Sequence, residues 1–181
     1  MRVTKMKKLA LVIAMSGFFM AGASQAASND VSATLAITGS VQSADNGCTI
    51  ELDRSVMHIG DYDMASLPFQ GQSSSSTANT NTARFTGDNC SGGGIAIKFT
   101  GTADDQEGSA FVNTTTGSAA AQGIGISVYN GLSNSVMTPN TSSSVVLNKA
   151  FLFKVGMVKL KNASTAPGQV QSSITVEVER L

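Results

Sequence analysis

The 181-residue chain has no tryptophan, two tyrosines, one histidine, two cysteines and three prolines, and only 13% of its residues are charged. A single imidazole leaves acid–base and metal chemistry short of partners. Twelve Lys and Arg balance twelve Asp and Glu, so there is no basic footprint for nucleic acid. In place of charge the chain carries 24 Ser, 17 Thr and 18 Gly. That mixture favours strands and turns over helices. A hydrophobic fraction of 41% supplies a core and argues against disorder. The length suits one domain.

The balance of charge depends on the N-terminus. Arg2, Lys5, Lys7 and Lys8 precede an apolar run from Leu9 to Met20, and small residues Ser24 and Ala26 follow. This is the three-part layout of a secretory signal peptide, and the run is short for a membrane span. Residues 1–26 are therefore expected to be removed. The remaining 155 residues carry 8 Lys and Arg against 12 Asp and Glu, a net charge of −4. Export to an oxidising compartment makes a disulfide the expected state of Cys48 and Cys90. A metal site is disfavoured, with no CxxC and a solitary His58.

Along the exported chain, turn-rich clusters at 70–82, 90–94, 104–109, 113–118 and 132–144 separate short β-rich runs. The runs are TIEL (49–52), IAIKF (95–99), IGISVY (124–129), SVVL (144–147) and FLFKVGMVKL (151–160). Many short strands between turn signals predict an all-β sandwich or barrel. SAAAQ (118–122) is at most one helical turn. Both ends alternate with period two. Val31, Ala33, Leu35, Ile37, Gly39 and Val41 share one face near the start; Val170, Ser172, Ile174, Val176 and Val178 share one near the end. Gly39 stands out, because glycine inside a strand often marks a close approach.

The candidates for chemistry have plainer readings. His58 lies in VMHIG and is expected on the solvent side of a strand. Asp61, Asp63, Asp104, Asp105 and Glu107 lie in turn-like segments and read as solvated surface rather than metal ligands. DNCSGGGI (88–95) is Gly-rich but lacks the Lys–Ser/Thr pair of a phosphate loop. No cofactor is expected, and an enzyme is the weakest class.

Taken in order, these segments resemble a pilin subunit of the chaperone–usher, or type 1 fimbrial, family. TLAITGSV (34–41) is similar to the family's donor strand. Cys48 before TIEL and Cys90 after a strand resemble its disulfide pair. HIGDYDMASL (58–67), FTGTAD (99–104), QGIGISVYNG (122–131) and TAPG (165–168) before the last strand are similar to further family segments. Three positions depart from the pattern: Arg180 replaces a penultimate aromatic, Gly87 replaces an apolar residue, and the stretch from Gly39 to Cys48 is long.

The resemblance implies an incomplete immunoglobulin-like sandwich with one disulfide, completed by donor-strand exchange. Residues 1–26 would be the signal peptide, 27–43 the N-terminal extension and 44–181 the pilin domain. The extension would enter a neighbour's groove with Val31, Ala33, Leu35, Ile37, Gly39 and Val41. The groove would be walled by the strand after Gly168, with Val170, Ile174, Val176, Val178 and Arg180. A chain with an empty groove would not be stable alone. The implied partners are a periplasmic pilus chaperone, an outer-membrane usher and neighbouring pilin subunits, on the way through the periplasm to a surface fimbrium. The rival reading is a single-domain fimbrial adhesin that binds a host receptor through loops 104–118 and 130–144.

Overall fold

The computed structural model describes residues 30–41, 48–74, 77–88, 90 and 94–181, with the backbone alone at 30, 32 and 38–41. The expected signal peptide, the 43/44 boundary and most of the Gly-rich stretch after Cys90 lie outside the described residues. Among the described residues there are eleven strands: β1 (Asp30–Val41), β2 (Thr49–Leu52), β3 (Val56–Asp63), β4 (Asn79–Thr86), β5 (Ile95–Thr100), β6 (Phe111–Val112), β7 (Ile124–Asn130), β8 (Val136–Met137), β9 (Ser143–Val145), β10 (Ala150–Lys159) and β11 (Gln169–Arg180). They form two sheets, ordered β3-β1-β11-β5-β9 and β2-β4-β10-β7-β6, with β8 added beside β7. No α-helix occurs among the described residues, and SAAAQ forms a turn and an isolated bridge from Ala120 to Gln169.

Alternation explains the layers. Phe151, Phe153, Val155 and Met157 of β10 face inward, as do Ile124, Ile126 and Val128 of β7. Ile95, Ile97 and Phe99 of β5 meet them from the other sheet, and the Phe99 and Phe153 rings sit 5.0 Å apart between the layers. Cys48 and Cys90 form the expected disulfide, with Cα atoms 5.4 Å apart and a separation of 42 positions in sequence. Closing a loop of that size contributes about 4 kcal/mol on the chain-entropy account. A second, smaller cluster of Ala110, Tyr129 and Val158 lies outside the main core. Gly156 makes room there, since a Cβ at that position would stand 3.1 Å from the Cβ of Ala78.

Two turn clusters conceal structure. Strand β4 begins at Asn79, inside the polar stretch TANTNT, because its alternation continues through a buried asparagine. Asn81 is 2% exposed; its amide donates to Arg54 O (2.8 Å), and its Oδ1 accepts from Arg54 N (3.2 Å) and Thr82 N (2.9 Å). Strand β8 likewise sits beside β7 inside the 132–144 cluster, and the two-residue β6 pairs with β7 between two other clusters.

Asp104 is not solvated surface. It is 4% exposed, and its carboxylate accepts N–H groups of Gln106, Glu107 and Ala110 at 3.0–3.1 Å. Gln70, fully buried, adds its amide to the same carboxylate (3.3 Å), and its Oε1 accepts from Lys161 N (3.1 Å). Three loops are thus tied at one point. Burial by itself raises the Asp104 pKa, but these donors hold it below the usual carboxylate value. A carboxyl whose folded pKa is depressed stabilises the fold above its unfolded value of about 4, and stops doing so as pH falls through the folded value. Asp104→Ala is expected to lower the urea unfolding free energy by about 1.5–3 kcal/mol at neutral pH. The gap between parent and variant should narrow as the pH is taken below about 4.

Candidate functional site

Strand β11 is the wall on which the site is built. Its C-terminal half, Thr175–Arg180, pairs antiparallel with Thr100–Ile95 of β5. Its N-terminal half runs past the start of that pairing, and side chains take over. Asn113 donates through Nδ2 to Gln169 O and Ala121 O (both 3.0 Å), and its Oδ1 accepts from Gln171 N (2.9 Å). Thr114 adds its own N–H and hydroxyl to Gln171 O, at 2.7 and 2.9 Å. Asn113 thus completes a strand edge, and its sequence setting, NTTTGS, carries no sign of that role.

Gly168 sets the entry to this strand. Its φ is +157°, and a Cβ there would lie 2.6 Å from both Ala119 O and Ala121 N. The close approach lets Gln169 N donate to Ala119 O (2.7 Å) and Gln169 O accept from Ala121 N (3.0 Å). At the far end Arg180 is exposed and still in register, opposite Ile95.

The other edge of β11 is met by the chain's own N-terminal strand. β1 runs parallel to β11, from Ser32 opposite Gln169 to Val41 opposite Val178. Its second edge pairs antiparallel with β3, from Asp30 opposite Asp63 to Ala36 opposite Val56. A bulge between Ala33 and Thr34 absorbs Ile59, beside Gly60 at φ +99°. Met57 and Ile59 therefore face the core before the bulge, and Tyr62 faces it after.

Without β1, the rest of the sandwich would have an open channel between β3 and β11. The sequence reading leaves that groove empty until another chain arrives. In the structure residues 30–41 of the same chain fill it, so the isolated chain has a closed sandwich. Val31, Ala33, Leu35 and Ile37 are all buried to 5% exposure or less. Complete burial of the valine, leucine and isoleucine side chains contributes about 1.5–3 kcal/mol each, before the cost of ordering the strand.

Sizes are matched along the parallel register. Leu35 lies beside Ser172, Gly39 beside Val176, Ala33 beside Val170, and Ile37 beside Ile174. Ser172 is 2% exposed and is the one polar residue on the inward face of β11. His58, as expected, is exposed on β3, with Nδ1 3.3 Å from the Thr34 hydroxyl of β1. Glu107 is held by Lys161 at 2.7 Å, and Asp63 caps a short turn through Ala65 N (2.9 Å).

Ser172→Leu is expected to overpack against Leu35 and destabilise the fold by about 1–3 kcal/mol. Leu35→Ala in the same chain should recover part of that loss, as a double-mutant cycle in urea would show.

Comparison with known proteins gives one family match and two structural likenesses. A family model described as fimbrial protein matches residues 35–179. Comparison with curated proteins gives no match. The crystal structure of the P pilus rod subunit PapA aligns at TM-score 0.56 and 12% identity, covering 77% of this chain and 96% of its own. An antigen and type I fimbria protein of Burkholderia pseudomallei aligns at TM-score 0.41 and 12% identity, covering 82% of this chain and 92% of its own. The likeness to the rod subunit shows an immunoglobulin-like sandwich, and the family match runs from within β1 to the penultimate residue of β11. The chain therefore belongs to the fimbrial protein family.

Proposed function

We propose that the protein is a structural subunit of a surface fimbria, assembled by the chaperone–usher pathway and polymerised by donor-strand exchange, and that its fibre supports cell adhesion. The carrying observation is β1 itself. It completes a sheet, yet only residues 42–47 join it to Cys48. Contacts made within one chain across such a link are equally available between chains, which is the condition for strand swapping. A donor at one place and a groove at another make a head-to-tail contact, and repeated head-to-tail contacts build open fibres.

Strand addition suits these residues. Main-chain hydrogen bonds along β11 supply affinity, and the alternate side chains Val31, Ala33, Leu35, Ile37, Gly39 and Val41 supply selectivity. In this reading residues 27–43 are the extension and 44–181 the body. A periplasmic chaperone fills the groove first, an usher passes the subunit on, and a neighbouring subunit's strand replaces the chaperone's. The protein works as a building block and not as a catalyst. The reading as a single-domain adhesin rests on loop 130–144. Exposed Leu132 of that loop and Leu147 just beyond it line an open cleft of about 560 Å³ that a receptor would occupy.

A chain lacking Val31–Ile37 should still be captured by chaperone but should not add to the subunit ahead of it. Fibres built from that chain, seen by electron microscopy, would refute the exchange. Cys48→Ser should reduce the amount of subunit recovered from the periplasm, since losing a native disulfide costs about 2–5 kcal/mol. Unchanged recovery on immunoblots would make the bond dispensable.

A further inference from the structure

Strand β9 ends its sheet, and among the described residues no strand lies beyond it. The register shows what that open side offers. Val146 N donates to Ile95 O (3.0 Å), so these two residues form a hydrogen-bonded pair. Antiparallel pairs alternate, so Ser144 opposite Ile97 is hydrogen-bonded to β5 as well. Ser143 and Val145, opposite Lys98 and Ala96, turn their N–H and C=O groups the other way. The opposite end of the sheet is closed by contrast, since Asn79 of β4 donates to Ile59 O of β3 (2.8 Å).

Side chains leave the β9 edge approachable. Sheet edges are commonly guarded by Lys, Pro or a covering loop. Thr141–Leu147 reads TSSSVVL, with no charge and no proline. Val145 is 47% exposed and Leu147 63%. Both line the open cleft of about 560 Å³, whose walls carry no charged side chain. The exported chain has a net charge of −4, so two copies repel in general. At this edge they meet without opposed like charges.

The edge is also complementary to itself. A second β9 can lie antiparallel beside the first, with a two-fold axis through Ser144. Ser143 of each copy then lies opposite Val145 of the other. Those are the residues whose backbone groups face outward, so about four hydrogen bonds form. The two Ser144 residues meet as the pair without hydrogen bonds. A slip of one residue would oppose outward groups with groups already bonded to β5.

Resting on the fibre reading above, we propose that β9 is a contact between fibres and that its partner is the β9 of a second copy. A ladder three residues long does not hold two free subunits together, since stable interfaces take about 20–30 residues a side. Repetition along two fibres multiplies it. The two-fold axis reverses strand direction. Exchange joins consecutive subunits along β11, and β9 lies in the same sheet, so the paired fibres run in opposite directions. Fibres rooted on one cell point the same way. The contact therefore joins fibres of facing cells, and the partner in adhesion is another copy of this chain.

The test uses whole cells carrying fibres, and fibres sheared from them. Cells with parent fibres should settle together, and electron microscopy should show fibres paired side by side. Val145→Lys puts a charge on the edge and leaves the pairing with β5 in place. Its cells should make as much fibre, unpaired, and should not settle. Ser144→Cys tests the axis. Cα atoms of such a pair lie about 4.5 Å apart, within reach of a disulfide. Oxidised Ser144→Cys fibres should give subunit dimers on non-reducing gels, joined at position 144 by peptide mass mapping. Thr141→Cys, exposed but away from the axis, should give none.

Parent fibres that never pair, Val145→Lys fibres that pair as the parent does, or assembled Ser144→Cys fibres without the dimer would each overturn the proposal and leave the exchange reading intact. If Ser144→Cys does not assemble, Val145→Lys decides alone. Val145→Lys cells that still settle but lose attachment to host cells would put a receptor at this edge instead of a second copy. A parent chain that forms no fibre would overturn both readings.

Discussion

The edge of β11 that β1 covers governs this molecule. One side of the strand is fixed by β5 and by Asn113, whose side chain stands in where β5 ends. The other side presents backbone donors and acceptors beside an apolar strip of Val170, Ile174, Val176 and Val178. Buried backbone polar groups must be paired, and an exposed row of them next to such a strip invites aggregation. Some strand has to lie there. Every functional question reduces to which strand, from which chain and in which direction.

The way polar side chains are used follows from the scarcity of charge. Asn81, Asn113 and Asp104 each act as substitute backbone, giving loops and strand ends the hydrogen bonds that a longer sheet would have given. Asn140 does the same at the end of β5, trading two bonds of 3.0 Å with Gly101. An Asn- and Ser-rich sequence therefore need not be a loose one. Of these, Asn113 holds β11 itself, along the edge away from β1.

Much of this was legible in the sequence, and for a physical reason. Alternation reports burial directly, so β1, β5, β7, β10 and β11 fall within a residue or two of where period-two patterns place them. Export predicts the Cys48–Cys90 bond. What stayed hidden depends on partners distant in the chain. Asn81 reads as turn until Arg54 is seen beside it, Asp104 reads as surface until Gln70 closes over it, and Asn113 has no local pattern at all. The occupant of the groove was hidden for a different reason. The apolar face of β1 specifies that it must be buried against a surface like β11, but not whose β11 that is.

The position of the disulfide has a mechanical consequence. In a polymer held by this strand, tension applied along β1 reaches the body of the subunit at Cys48, where the load divides. One path follows β2 into its sheet, held by four residue pairs with β4. The other crosses the covalent bond to Cys90 and enters the opposite sheet near β5, beside the β11 wall that grips the next strand in line. Force passing from one subunit to the next can thus bypass the short β2–β4 ladder altogether. On this account the cystine is a tendon between the pulled strand and the gripping one, as well as a staple for the fold.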